Sequence, residues 1–144
     1  EEVMIKIAHR GNINGPNPAK ENNPEYLQIA LDAGYDCEID VWVIDNNIFL
    51  GHDNPTHLVT KQFIDNEKFW CHAKNLDALH YMLFYGIHCF WHEEDERTLT
   101  SKGKIWTYPD RAVTNKSIIC LQGPDDKAPA DCLGICTDYV INYK

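Results

Sequence analysis

Short apolar segments and helix-like segments follow one another along this 144-residue chain, and their order restricts the fold more than any other feature. Apolar runs at 3–8, 37–44 and 68–73 are typical of β-strands, and helix signals follow the first and third runs. Strand-like segments recur at 89–91, 104–108, 117–121 and 134–140, with little helical pattern between them. This order predicts an α/β fold with parallel strands joined by right-handed crossovers.

Two architectures are compatible with this order. A reduced (β/α) barrel with few outer helices is favoured, although a complete eight-stranded barrel takes about 250 residues and seldom fewer than 200. The alternative is a small open α/β sheet with a β-hairpin at one edge. No repeat, linker or low-complexity tract divides the sequence, so residues 1–144 are predicted to form a single domain. The stretches 11–23, 53–67 and 122–133 are predicted to be loops.

Both predicted helices carry start and stop signals. Asn23 is expected to cap the first helix, with Pro24 in its first turn and Gly34 after its last turn. Asn75 and Gly86 bracket the second helix in the same way. The boundaries of both helices are therefore predicted by local chemistry and do not depend on the rest of the fold.

The charge balance of the chain restricts its partners. It carries 22 Asp and Glu against 13 Lys and Arg, a net charge of −9 at pH 7. The basic residues are scattered singly and offer no positive stripe to nucleic acid or to an anionic membrane surface. No apolar stretch approaches the roughly 20 residues that cross a bilayer, and the first residues do not resemble an export signal. We expect a cytoplasmic protein with no nucleic-acid partner and no stable membrane insertion.

The six cysteines lie mostly inside apolar strand-like runs and never form a Cys-x-x-Cys pair. Cys132 and Cys136 are the only close couple, which is too few ligands for a zinc site. We predict that the cysteines are reduced and buried.

Two acidic residues stand on one face of the second predicted strand. Because side chains alternate along a strand, Glu38 and Asp40 leave by the same face. A three-residue turn at 45–47 would pair Ile44 with Ile48 and place His52 opposite Asp40, with their Cβ atoms about 5 Å apart. A two-residue turn would shift the register by one and turn His52 away. In the first case two carboxylates and an imidazole meet, and the carboxylate oxygens are ligands that hard divalent cations prefer.

The first predicted strand ends in residues that suit a phosphate site. His9 and Arg10 follow its apolar run, and Gly11 allows a sharp exit of the backbone. Working residues of parallel α/β folds lie at the carboxyl ends of strands. A guanidinium at such an end pairs well with phosphate oxygens.

These segments resemble, in order and spacing, the signatures of the glycerophosphodiester phosphodiesterase family. The densest part of the resemblance covers residues 3–53, about a third of the chain. Weaker similarity follows near the end of the sequence and places the last strand near residue 136. The matching motifs are His9-Arg10-Gly11, Glu21-Asn22, Glu38-Ile39-Asp40-Val41, His52-Asp53, Trp106-Thr107 and Thr137-Asp138-Tyr139.

The resemblance implies a reduced TIM-type barrel with a β-hairpin insertion after the second strand, one divalent cation, and hydrolysis of a phosphodiester by paired histidines. By position it implies the following roles: Glu38 and Asp40 as metal ligands, His9 and His52 as general acid and base, Arg10 as phosphate ligand, and Lys74 as stabiliser of phosphate charge.

The chain departs from the family at the third metal-binding carboxylate, where it has His72. Mg²⁺ or Ca²⁺ is the cation implied by the family, but an imidazole ligand at His72 would favour a transition metal. Glu21, Glu93 and Glu94 are alternative third ligands, and in that case His72 would pack on Trp70 without binding the ion. His57, His80, His88 and His92 match no part of the family pattern. The segment 92–95 follows a strand and could line the mouth of the site, but a solvated acidic loop is the favoured interpretation.

The expected activity is metal-dependent hydrolysis of a small-molecule phosphodiester, namely a glycerophosphodiester, to glycerol phosphate and an alcohol. Two other functions share the same residues. One is a phospholipase-like enzyme that acts on a lipid head group. The other is a barrel module that binds phosphate without catalysis, because His72 replaces a carboxylate.

Overall fold

A computed structural model describes residues 4–143. Within these residues the chain forms ten strands, three α-helices and one 3-10 turn. They are β1 Ile5–His9, α1 Pro24–Asp32, β2 Asp36–Ile44, β3 Asn47–Leu50, β4 His57–Val59, α2 Lys61–Ile64, β5 Phe69–Ala73, α3 Leu76–Phe84, β6 Cys89–Phe90, β7 Arg97–Leu99, β8 Ile105–Thr107, β9 Ser117–Cys120, β10 Gly134–Thr137 and the 3-10 turn Val140–Asn142. Val3, which the sequence predicts in the first strand, lies outside the described residues.

Seven strands run parallel in the order β8-β9-β10-β1-β2-β5-β6. The antiparallel strand β7 joins at β8, and β3 with β4 form an antiparallel extension of β2. One edge of β2 pairs with two strands in succession. The carbonyl of Glu38 accepts from the Arg10 N–H, and the carbonyl of Asp40 accepts from the Gly51 N–H. The β3 hairpin therefore continues the edge of β2 where β1 ends.

Aromatic side chains from both ends of the parallel order meet on one face of the sheet. The ring of Phe90 on β6 stacks on Trp106 of β8 with centroids 4.6 Å apart, and Trp70 of β5 lies 5.9 Å from Trp106. Strands β6 and β8 stand at opposite ends of the order, so this contact requires the sheet to curl. The fold is mixed α/β with a curled, half-barrel sheet and few helices, which confirms the predicted α/β class.

The other face of the sheet carries the larger apolar core, against which α1 and α3 pack. Asn23 caps α1 by accepting from the Glu25 N–H, and Asn75 caps α3 by accepting from the Ala78 N–H. Both predicted helices are confirmed with their predicted caps. Within residues 4–143, no helix has the length and apolarity needed to cross a membrane.

The structure differs at three places from the sequence predictions, and at a fourth it decides between the two turn lengths that were left open. The turn of the β2–β3 hairpin has two residues, since Ile44 pairs with Asn47, and so Ile48 faces Val43. The stretch 53–67 contains β4 and α2, because Thr60 caps a short helix by accepting from the Phe63 N–H. Strand β7 has no counterpart among the predicted strands. The last strand ends at Thr137 and does not reach Val140, which begins the 3-10 turn.

All six cysteines are free thiols. Four are buried, and two are only half-buried, so the prediction of burial fails for Cys120 and Cys132.

Candidate active site

The carboxyl ends of the parallel strands surround one cavity of about 540 Å³. Parallel strands bring these ends to a single rim, which is where the polar residues of the early motifs lie. Six of the seven predicted site residues line the cavity: His9, Arg10, Glu38, His52, His72 and Lys74. The seventh, Asp40, is fully buried and contacts two of the six. The curl of the sheet thus gathers residues that are up to 65 positions apart in sequence.

Two carboxylates and one imidazole form the centre of this cluster. Glu38 and Asp40 point to the same face of β2, as predicted, and are 3% and 0% exposed. His72 is the partner of Asp40 in the β2–β5 register. Its Nδ1 lies 3.2 Å from Asp40 Oδ1 and 3.8 Å from Glu38 Oε2. One ligand atom from each of the three residues lies within 4.8 Å of the others, so together they could hold a metal ion.

The tautomer of His72 supports a cation at this position. Its Nε2 lies 3.0 Å from the carbonyl oxygen of His92, which can only accept, so Nε2 carries a proton. In the neutral ring the lone pair of Nδ1 faces two carboxylates. Burial lowers the pKa of His72, but Asp40 and Glu38 outweigh it and raise the pKa, so without a metal ion a proton on Nδ1 points to Asp40. Oxygens Glu38 Oε1 and Asp40 Oδ1 are buried without hydrogen-bond partners among the described residues. Such converging electron pairs are costly unless a proton or a metal ion lies between them, and these side chains fit a metal ion in the place of that proton.

The pKa values of the two carboxylates diverge. Burial and the neighbouring Asp40 raise the pKa of Glu38 to about 7. Burial also raises the pKa of Asp40, but His72, Asn22 and Arg10 outweigh it, and the pKa lies below its usual range. The two groups therefore share a site in which both charges are tolerated only with positive neighbours.

Asn22 fixes the orientation of Asp40. Its Nδ2 donates to Asp40 Oδ2 over 2.8 Å, and its Oδ1 accepts from the Asp40 N–H over 2.9 Å. Asn22 is fully buried and has a φ of 66°, a left-handed conformation that Asn tolerates better than most residues. One oxygen of Asp40 is thus engaged, and the other faces the proposed ligand position.

Replacement of Asn22 by alanine is expected to lower the free energy of unfolding by about 3 kcal/mol. The change removes both hydrogen bonds to Asp40 and places alanine in a left-handed conformation. Chemical denaturation measures the effect. Asn115→Ala, at an exposed position, is the matched control and should change stability little. Equal stability of the two variants would contradict the role given to Asn22.

His9 is oriented by a carboxylate from the far end of the chain. Its Nδ1 donates to Asp138 Oδ1 over 2.8 Å, and its Nε2 lies 3.8 Å from Glu38 Oε1. Burial lowers the pKa of His9, but Asp138 and Glu38 outweigh it and raise the pKa to about 9. The raised pKa stabilises the folded state fully below pH 6.5, and this contribution is lost as pH rises through about 9. At neutral pH the ring is a proton donor.

Arg10 lies beside the carboxylate pair. Its Nη1 donates to Glu21 Oε1 over 3.2 Å, and its Nε lies 3.4 Å from Asp40 Oδ2. Glu21 accepts from Asn12 as well, so it holds Arg10 in place and is not part of the metal-binding group. Lys74 follows β5 on the same rim, and no carboxylate pairs with it in the stretch 4–143. Two cationic side chains therefore face the cavity.

His52 lines the cavity although it is not the partner of Asp40 in the β2–β3 register. With the two-residue turn, Gly51 lies beside Asp40 and β3 ends at Leu50. The chain then turns sharply: a Cβ on Gly51 would lie 1.9 Å from the carbonyl oxygen of Asn54. This turn carries His52 back to the rim, where its Nδ1 donates to Asp53 Oδ1 over 2.8 Å. The two-residue turn was expected to turn His52 away from the carboxylates, yet the residue lines the cavity.

Sequence reasoning missed three residues of the site. Asp138 was noted only as part of a motif, and Asn22 likewise, without the hydrogen bonds that they make. His92 was placed in a solvated loop, but it lines the cavity, and its carbonyl oxygen fixes His72. Its ring is held by Asp95, which also accepts from the Glu93 N–H. The only available signal was the position of His92 just after a strand.

No protein-family model, no curated protein and no solved structure matches this chain. The functional argument therefore rests on the geometry of the cavity.

Proposed function

We propose that this protein is a metal-dependent phosphodiesterase that hydrolyses a glycerophosphodiester to glycerol phosphate and an alcohol. One observation carries the proposal: acidic, imidazole and cationic side chains from β1, β2, β5 and the β3 hairpin line one cavity of about 540 Å³. Hydrolysis of a phosphodiester requires groups that bind the anion, neutralise its charge and transfer protons, and these side chains can do all three.

In this proposal Glu38, Asp40 and His72 hold one divalent cation. When bound, the cation neutralises charge on the non-bridging oxygens of the phosphate. Two oxygen donors and one nitrogen donor suit Mn²⁺ or another transition ion better than Ca²⁺, which takes six to eight oxygens. The replacement of a carboxylate by His72 thus bears on which metal is preferred.

The cationic side chains Arg10 and Lys74 bind the phosphate. Glu21 fixes the guanidinium of Arg10 before substrate arrives, so little side-chain entropy is lost on binding. Lys74 has no carboxylate partner among residues 4–143 and can pair with a phosphate oxygen. Both charges lie in a cavity partly shielded from water, where they stabilise developing negative charge strongly.

His9 and His52 move the protons. His9, oriented by Asp138 and protonated at neutral pH, donates a proton from Nε2 to the departing alcohol oxygen. His52 Nδ1 is held by Asp53, which leaves Nε2 to accept a proton from the attacking water molecule. Each histidine has a carboxylate that fixes the orientation of its ring: Asp138 keeps His9 protonated, and Asp53 leaves Nε2 of His52 free to accept.

We also propose that the curled sheet is a reduced TIM-type barrel. The gap between β6 and β7 is bridged by three hydrogen bonds that belong to no regular ladder. Ser101 N donates to Cys89 O, Cys89 N to Ser101 Oγ, and Thr98 Oγ1 to Trp91 O, over 2.8, 2.9 and 2.7 Å. These bonds support a ring in which one strand is antiparallel and most outer helices are missing.

Turnover with and without metal tests the proposal. We expect the protein, supplied with Mn²⁺, Mg²⁺ or Ca²⁺ in turn, to release glycerol phosphate from glycerophosphocholine and nitrophenol from bis(4-nitrophenyl) phosphate. EDTA should reduce the rate by about two orders of magnitude or more, and added metal should restore it.

Two results would contradict this function. Binding of glycerophosphocholine with no product under any metal would identify a binding module. Cleavage of phospholipid vesicles but not of the soluble diesters would identify a lipid head-group enzyme.

A further inference from the structure

Two thiols lie side by side on the wall of the cavity. Cys120 on β9 and Cys136 on β10 are direct partners in the parallel register. Both line the cavity, and Cys120 is half-buried while Cys136 is 2% exposed. The proposed chemistry of the site uses neither residue.

The spacing of this pair permits a covalent bond. Neighbouring strands lie about 4.8 Å apart, and a disulfide joins Cα atoms that are about 4.4–6.8 Å apart. Because partners in register project from the same face of a sheet, both thiols point to the concave side. A bond between them requires the two Cβ atoms to approach to about 3.5–4.5 Å, slightly closer than the strand spacing.

A second pair of cysteines in the same chain has the same register but a different environment. Cys71 on β5 and Cys89 on β6 are also direct partners. They are 0% and 1% exposed and belong to the apolar core on the opposite face of the sheet. The two pairs therefore differ in access to solvent and not in strand pairing.

We propose that Cys120 and Cys136 form a reversible disulfide inside the cavity, and that the oxidant is a small soluble disulfide such as glutathione disulfide. The half-buried thiol of Cys120 is the group that the oxidant reaches first. Cys136 is placed to complete the reaction.

The reaction proceeds by two exchanges. Cys120 loses its proton and attacks one sulfur of glutathione disulfide, which forms a mixed disulfide and releases one glutathione. Cys136 then loses its proton and attacks the Cys120 sulfur, which releases the second glutathione. Two protein thiols are oxidised to one disulfide, glutathione disulfide is reduced to two glutathione molecules, and the two protons go to the two glutathione thiolates.

The proposed disulfide lies close in sequence and in the sheet to residues of the candidate active site. Cys136 is the β10 partner of Ile7 on β1, and it lies two residues before Asp138. A disulfide here would tie β9 to the strand that leads to the carboxylate of the His9 pair.

The native protein is incubated with glutathione disulfide, its remaining thiols are alkylated, and its peptides are analysed by mass spectrometry. We expect a linked Cys120–Cys136 peptide that dithiothreitol reverses, formed at least about tenfold faster than any Cys71–Cys89 link. Protein unfolded in urea is the control for access, and there this preference should disappear.

Two variants identify the order of the steps. In Cys136→Ser the reaction should stop at a glutathione adduct on Cys120. In Cys120→Ser, Cys136 should remain a free thiol in the folded protein. The proposal is overturned if the wild-type protein forms no Cys120–Cys136 link, or if both pairs oxidise at equal rates while the protein is folded.

Discussion

Replacement of His9 by alanine is expected to lower kcat for phosphodiester hydrolysis by about two to four orders of magnitude. The imidazole is the group that we place next to the departing oxygen, and Asp138 keeps it protonated at neutral pH. Steady-state rates with glycerophosphocholine and with bis(4-nitrophenyl) phosphate measure the loss. Nitrophenolate is a much better leaving group and needs less help from a proton donor. The rate with bis(4-nitrophenyl) phosphate should therefore fall less than the rate with glycerophosphocholine.

His80→Ala is the matched control for this experiment. His80 is an exposed histidine on α3 that does not line the cavity, and its loss should leave kcat unchanged. Asp138→Asn adds an independent test of the pair. Without the carboxylate, the pKa of His9 should fall, and the decline of activity at high pH should move to lower pH. Unaltered kcat in His9→Ala would show that this imidazole takes no part in the reaction.

Replacement of Glu38 by glutamine is expected to act in opposite directions on metal binding and on stability. Loss of one ligand should weaken Mn²⁺ binding by about two orders of magnitude or more. The metal-free protein, in contrast, should become more stable by about 2 kcal/mol above pH 7. The pKa of Glu38 is raised from 4.5 to about 7, so the folded state binds the extra proton, and its stability falls as pH rises through this interval.

Calorimetric titration with Mn²⁺ and thermal unfolding at several pH values measure both effects. Glu67→Gln removes the same charge from an exposed loop and should change neither quantity appreciably. Undiminished Mn²⁺ affinity in Glu38→Gln would remove this carboxylate from the metal site. Lower stability of the metal-free variant would show that the two carboxylates do not repel each other in the folded state.

Local chemistry made much of the fold predictable. Asn23 and Asn75 mark helix starts that depend on a side chain and the nearest backbone N–H groups, and the structure confirms both. Strand β7 could not be found in the same way. It has three residues, two of them exposed, and its only ladder is with β8, so tertiary pairing and not an apolar pattern produces it.

Some residues of the candidate site were also predictable from local sequence, and others were not. Glu38 and Asp40 were recognisable because their spacing alone fixes a shared face of a strand. The position of His52 was not, because His52 lies beyond the β2–β3 ladder and a sharp turn after Gly51 brings it to the rim. Asn22 and Asp138 act through hydrogen bonds to residues 18 and 129 positions away, which no local pattern encodes.

The pairing of β1 with β10 has a consequence for how the site assembles. The carboxylates and His72 come from β2 and β5, which are paired strands in the early part of the chain, whereas His9 meets Asp138 across 129 positions. Contacts of such long range are slow to form, because closing a long loop costs entropy before any contact repays it. We therefore expect the cluster of Glu38, Asp40 and His72 to form earlier during folding than the His9–Asp138 pair, so that the proposed ion site would be assembled before the proposed acid catalyst is oriented.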